Sequence, residues 1–118
     1  MKQKWLIGLV MLMSAVLLVS CADSRQTFRI GVSQCAPGGW RDKINNEMLA
    51  AQHLYEHDVK VSIVCAYDDT PRQIEQIDSL VASGIDLLVV APNEAAPIAE
   101  VIERVKAKGI PVICFTAA

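Results

Sequence analysis

Hydrophobic and polar positions alternate in blocks along this chain. After a long apolar opening, Phe28–Ser33 (FRIGVS) places Phe28, Ile30 and Val32 on one side, as a strand does. From Trp40 to about His57 apolar residues recur every three or four positions. Trp40, Ile44, Met48, Ala51 and Tyr55 make one helical stripe, opposed by Asp42, Asn45, Asn46, Gln52 and Glu56. Val59–Ala66 alternates Val59, Val61, Ile63 and Cys65 with Lys60 and Ser62, a strand with one less buried face. Thr70-Pro71-Arg72-Gln73 is a helix start with Thr70 at the N-cap, Pro71 at the first position and Gln73 three residues after the cap. Ile74, Ile77, Leu80 and Val81 follow as an inner stripe, and Gly84 ends that helix. Ile85–Ala91 is a short, nearly continuous apolar run, which suits a strand buried on both faces. Pro97–Lys108 is a third helix with Ile98, Val101, Ile102 and Val105 inward, closed by Gly109. Ile110–Phe115 is a fourth strand.

Strict alternation of four strands and three helices predicts an α/β fold with a parallel sheet in the order 2-1-3-4, flavodoxin-like, with strands one and three central. Ligands of such sheets bind beyond the carboxyl ends of the strands. That directs attention to the loops at Gln34–Gly39, Tyr67–Asp69 and Ala91–Glu94.

Composition changes the picture mainly at the start of the chain. The 118 residues are 53% hydrophobic, a value raised by Trp5–Val19, a fifteen-residue apolar stretch behind Lys2 and Lys4. A basic start and an apolar stretch shorter than a spanning helix predict a signal peptide over residues 1–20. Its ending Leu18-Val19-Ser20-Cys21 resembles the bacterial lipoprotein signal, in which the cysteine is acylated. Cys21 is therefore the expected lipidation site, with ordinary cleavage near Ala22 or an uncleaved signal anchor as alternatives. Ala22–Thr27 reads as a tether, and residues 28–118 as one domain. The formal net charge is −2, and it becomes more negative once Lys2 and Lys4 leave. No basic cluster is present, which argues against nucleic acid as a partner.

The remaining cysteines, Cys35, Cys65 and Cys114, lack the paired spacing of metal sites. Buried free thiols are the favoured reading, and a Cys35–Cys65 disulfide in an oxidising periplasm stays open. His53 and His57 stand four apart on a predicted helix, but without a third ligand they read as surface residues. Asp68 and Asp69 read as favouring the following helix N-terminus rather than as a catalytic acid pair. The loop Gln34–Gly39 lacks the G-x-G-x-x-G spacing of dinucleotide enzymes. A response-regulator receiver needs acids after the first strand, where Ser33 and Gln34 stand. No nucleophile–base set is apparent, so the chain is read as a non-enzyme, and no cofactor is implied.

The run FRIGVSQ, the Trp40-Arg41 pair opening a helix, DDTPRQIEQIDSLVASGIDLLVVAPN and KGIPVI together resemble the type I periplasmic sugar-binding proteins. This family includes ribose and galactose binders and shares its fold with the effector domains of LacI-type repressors. GVSQC, Trp40-Arg41 and APNEAAP look most similar to sensor domains of hybrid two-component regulators in Bacteroides-type bacteria. The resemblance covers Phe28 to Ile113. It implies a carbohydrate-recognition module on the periplasmic side that binds a monosaccharide or small sugar between two lobes, with a transporter permease or a sensor kinase as partner. This chain is expected to be the N-terminal lobe alone, a truncated form, with a non-binding remnant as the alternative. The family places an aromatic that stacks on sugar just after the first strand, where Trp40 stands, with Gln34 and Arg41 beside it. Ala91 occupies the position of an asparagine in ribose binders, leaving Asn93 as the substitute. An Asp-Arg pair usual after the fourth strand is replaced by Phe115-Thr116-Ala117-Ala118, which leaves that strand as an exposed apolar edge. Each candidate also has a plain structural reading: Trp40 as a helix anchor, Arg41 as a solvated helix start, and Asn93 as a turn residue.

Overall fold

A computed structural model describes residues 26–116, together with Gln3. The expected signal peptide, Cys21 and most of the tether lie outside the described residues. Among these, four parallel strands form one sheet in the order β2-β1-β3-β4, as the alternation predicts: β1 Phe28–Gln34, β2 Val59–Cys65, β3 Leu87–Val90 and β4 Val112–Cys114. They alternate with α1 Trp40–Leu54, α2 Thr70–Ala82 and α3 Ala95–Ala107. Strands β3 and β4 are shorter than the apolar runs that signal them. Ile85 stays buried without joining the ladder, so burial continues where strand pairing does not.

The two faces of the sheet differ in chemistry. In register, Gly31 pairs with Ser62 and Leu88, so alternate positions of neighbouring strands share a face. On one face, Leu88 and Val90 meet Ile77 and Leu80 of α2 and Ile98, Val101 and Val105 of α3. This is the core, and its inner stripes are those the helical spacing predicts. Burying each such side chain contributes about 1.5–3 kcal/mol. Arg104 on α3 reaches Asp78 on α2 at 3.1 Å, an exposed pair that adds little.

Among the described residues the other face carries only α1; Met48, Ala51 and Tyr55 of the predicted stripe line its inner side, but polar residues share that side. No residue of α1 is buried, Trp40 and Tyr55 are exposed, and Asn45 and Gln52, assigned to the solvent side, face the sheet. The reason is hydrogen bonding. Asn45 Oδ1 accepts from Gln34 Nε2 at 2.7 Å, and Gln52 Oε1 accepts from the Val61 backbone N–H. Because β2 is an edge strand, an outward N–H needs a partner, and Gln52 supplies it. The helix also ends at Leu54 rather than near His57. His57 therefore leaves the helix, and both histidines are exposed on either side of Glu56.

Two further corrections concern helix ends. The N-cap of α2 is Asp69, not Thr70: Asp69 Oδ1 accepts from the Arg72 N–H at 2.9 Å. Thr70 is buried and engaged elsewhere. Helix α3 begins at Ala95, two residues before Pro97; proline is tolerated there because first-turn N–H groups have no intrahelical acceptor. Among the described residues, Cys35, Cys65 and Cys114 are free thiols. Cys65 pairs in register with Gln34 at the last rung of the ladder, Cys35 lies beyond that rung, and the two are not joined by a disulfide. Cys35 is buried, but Cys114 is exposed, against the expectation of a buried thiol.

Candidate functional site

All four strands run the same way, so their carboxyl ends make a single rim from loops 35–39, 66–69 and 91–94 and the residues after Cys114. The loop after β1 turns at Gly38 and Gly39, with φ of 99° and 58°, values that suit residues without a Cβ. It delivers Trp40 to the start of α1. The indole is 37% exposed and lies edge-on to Phe115, with ring centroids 5.6 Å apart and planes at 72°. Phe115 follows β4, and its N–H donates to the Val90 carbonyl at 3.0 Å, so Trp40 leans from β1 toward the far side of the sheet. The Arg41 guanidinium sits 4.7 Å from the Trp40 ring centroid. Such pairing holds both side chains in place electrostatically. Trp40 and Arg41 are therefore brought together as the sequence suggests, with the indole presented to solvent.

Gln34 is placed differently from its expected role as a ligand contact. It is 1% exposed and lies beneath the rim with its amide nitrogen committed to Asn45. It fastens the end of β1 to the first half of α1, the segment that carries Trp40 and Arg41. Asn93 is half-buried at the β3 tip. Its backbone N–H donates to Gln73 Oε1 at 2.9 Å, and its Nδ2 donates to Thr70 Oγ1 at 2.9 Å. The Thr70 hydroxyl donates in turn to Glu94 Oε1 at 2.8 Å. The turn after β3 is thus tied to the start of α2 by a short polar chain.

Gln73 does more than mark the start of α2. It is fully buried and joins the ends of two strands, β1 and β3. Its Nε2 donates to Ser33 Oγ at 3.1 Å and to the Ala91 carbonyl at 2.9 Å, while its Oε1 takes the Asn93 N–H. Also unassigned was Tyr67, two residues beyond β2 and 61% exposed, with the Arg72 guanidinium 5.4 Å from its ring centroid. Its position just after a parallel strand was the available signal.

Two hollows lie away from the rim. One of about 490 Å³ runs between β2 and α2, lined by Arg29, Lys60, Ser62, Arg72, Glu75 and Ser79 among others. The other, about 350 Å³ and almost wholly apolar, lies between α1 and the sheet against Ile30, Met48, Tyr55, Val61, Leu87 and Val89.

Comparison with known proteins agrees with the fold and its sheet order. A family model described as a periplasmic binding protein domain matches residues 30–118. The ribose import binding protein RbsB of Bacillus subtilis is 23% identical; the match covers 91% of this chain and 39% of that protein. The multiple sugar-binding periplasmic protein SbpA of Azospirillum brasilense is 28% identical over 80% of this chain and 26% of its own length. Among solved structures, the fructose-binding periplasmic domain of a Bacteroides hybrid two-component system superposes with a TM-score of 0.70 at 44% identity. That match covers 74% of this chain and 29% of the other. The chain thus spans well under half the length of these relatives.

Proposed function

The chain belongs to the periplasmic binding protein domain family, and on that premise we propose that it is a carbohydrate-recognition module working on the periplasmic side. The observation that carries this reading is Trp40, a part-exposed indole at the strand ends, steadied by Phe115 behind it and Arg41 beside it. An exposed aromatic face suits the apolar C–H face of a sugar ring, and the guanidinium supplies hydrogen-bond donors to hydroxyls. Gln34 and Asn93 act in this reading by holding the platform and the neighbouring turn. The relative that is 44% identical is a fructose-binding domain, which makes fructose the first sugar to test. Its membership of a hybrid two-component system favours a sensor input. A transport role is the second reading, favoured by the similarity to a ribose import binding protein. Recognition rather than catalysis is the proposed activity, and residues 28–118 are proposed as one lobe of the binding unit.

Calorimetric titration of the purified chain with fructose, glucose and ribose tests this. Trp40→Ala is expected to weaken sugar binding by about tenfold, the equivalent of one lost aromatic contact, with little change in melting temperature. Absence of heat with every sugar overturns the reading. We also propose that acylation at Cys21, behind the apolar stretch Trp5–Val19, anchors the chain to the membrane. Cys21→Ala is expected to move the protein from the membrane fraction to the soluble fraction. An unchanged distribution by immunoblot rejects the lipid anchor.

A further inference from the structure

Tyr67 and Asp68 are consecutive non-glycine residues with φ of 55° and 63°. That left-handed conformation crowds the Cβ, and for a bulky residue it is an outlier. The turn is enforced from both sides. The Asp68 N–H donates to the Cys35 carbonyl at 2.8 Å, and the Asp69 N–H donates to the Ala66 carbonyl at 3.3 Å. Asp69 then caps α2. The result is a tyrosine ring that stands 61% exposed at the rim instead of packing down. Contact with Arg72 alone does not account for this, because it leaves most of the ring in water. Strained backbone of this kind persists where surrounding structure over-determines it, and it concentrates at ligand clamps.

The arrangement repeats the one built on Trp40. Each aromatic has a guanidinium against its ring, at 4.7 Å for Trp40 and 5.4 Å for Tyr67. They stand apart on the rim: Tyr67 follows β2 at one edge of the sheet, whereas Trp40 follows the loop after β1 and reaches across to Phe115, which follows β4 at the other edge. Three strand intervals separate β2 from β4, about 14 Å. A ligand that touches both rings has to lie along the rim between these two edges, which suits two linked sugar rings better than one. The β3 turn of the same rim is polar, with Asn93, Thr70 and Glu94 joined in one hydrogen-bond chain.

We propose that Tyr67 is a second aromatic platform of the ligand site and that the ligand reaching it is a disaccharide. This rests on the carbohydrate reading of the rim. The test titrates the chain and its Tyr67 variants with sucrose and maltose beside fructose and glucose, following heat and tryptophan fluorescence. The unaltered chain binds at least one disaccharide more tightly than either monosaccharide. Tyr67→Ala weakens that disaccharide by about tenfold, while monosaccharide affinity stays within about twofold. Tyr67→Phe keeps the disaccharide affinity, because the ring makes the contact. Tyr67→Gly loses it yet melts at the same temperature or higher, since glycine adopts positive φ without crowding. If monosaccharides bind and the Ala and Gly variants match the unaltered chain with both disaccharides, the inference falls while the carbohydrate reading stands. If no sugar of the panel binds the unaltered chain, both fall.

Discussion

Gln73→Leu is expected to lower the unfolding free energy by about 3 kcal/mol, because it removes three hydrogen bonds at once from the tips of β1 and β3. Leucine has nearly the volume of glutamine, so the change isolates the polar loss from any cavity. The side chain is fully buried, and its amide serves Ser33 Oγ, the Ala91 carbonyl and the Asn93 N–H. Ser33 and Ala91 are buried too. After substitution, those groups keep the desolvation cost without their partner, at about 1–3 kcal/mol for each group fully stranded. The measurement is the urea midpoint at unchanged slope. A shift worth less than about 1 kcal/mol would mean that water or a rotated neighbour replaces the amide. The same variant should loosen the turn that carries Asn93, so a larger loss of sugar affinity than of stability would place this turn within the binding surface.

Gly31→Val should cost about 3 kcal/mol through overpacking. Gly31 lies mid-strand in β1, paired with Ser62 on one side and Leu88 on the other, so the backbone cannot slide away. A Cβ built there falls 3.0 Å from Ile85 Cδ1, 3.2 Å from Ile85 Cγ2 and 3.2 Å from Leu80 Cδ1. These are the outer atoms of flexible side chains, so Gly31→Ala is absorbed by small shifts and costs about 1 kcal/mol. Valine adds two methyl groups where Leu80 and Ile85 already close the core, and no comparable adjustment accommodates them. Thermal melts of the pair decide the point: equal melting temperatures for the Ala and Val variants would show that this part of the core is loosely packed.

Both positions show how much the primary structure carries. The face that Gly31 serves was legible from the inner stripes of α2 and α3. These stripes are apolar at helical spacing, and burial follows directly from that chemistry. Helix α1 was legible in its start and in part of its inner stripe, but not in its end or in the polar share of that inner side. Its sheet-facing side is partly amide, and Asn45 and Gln52 look like solvent-facing residues until their partners, Gln34 and the Val61 N–H, are known. The partners lie nine to eleven residues away in sequence and on different elements, where no periodicity reports them. The same limit explains the candidate site. Gln34 stands at a strand end, where ligand contacts gather, yet its side chain turns inward to Asn45. Tyr67 stands at an equivalent strand end, yet its backbone is bent into positive φ and its ring turns outward.

By itself the sequence determined the alternation of strands and helices, the parallel order 2-1-3-4 and the apolar core, because these follow from spacing, caps and the handedness of short crossovers. It also pointed to the carboxyl ends of the strands as the edge to examine for a site. Only the tertiary structure decided which polar residues are spent on holding that edge together and which aromatics it presents. Hydrogen bonds such as Gln73 to Ala91, or Asn93 to Thr70, join residues eighteen and twenty-three positions apart, and they exist only after the strand tips have been brought together.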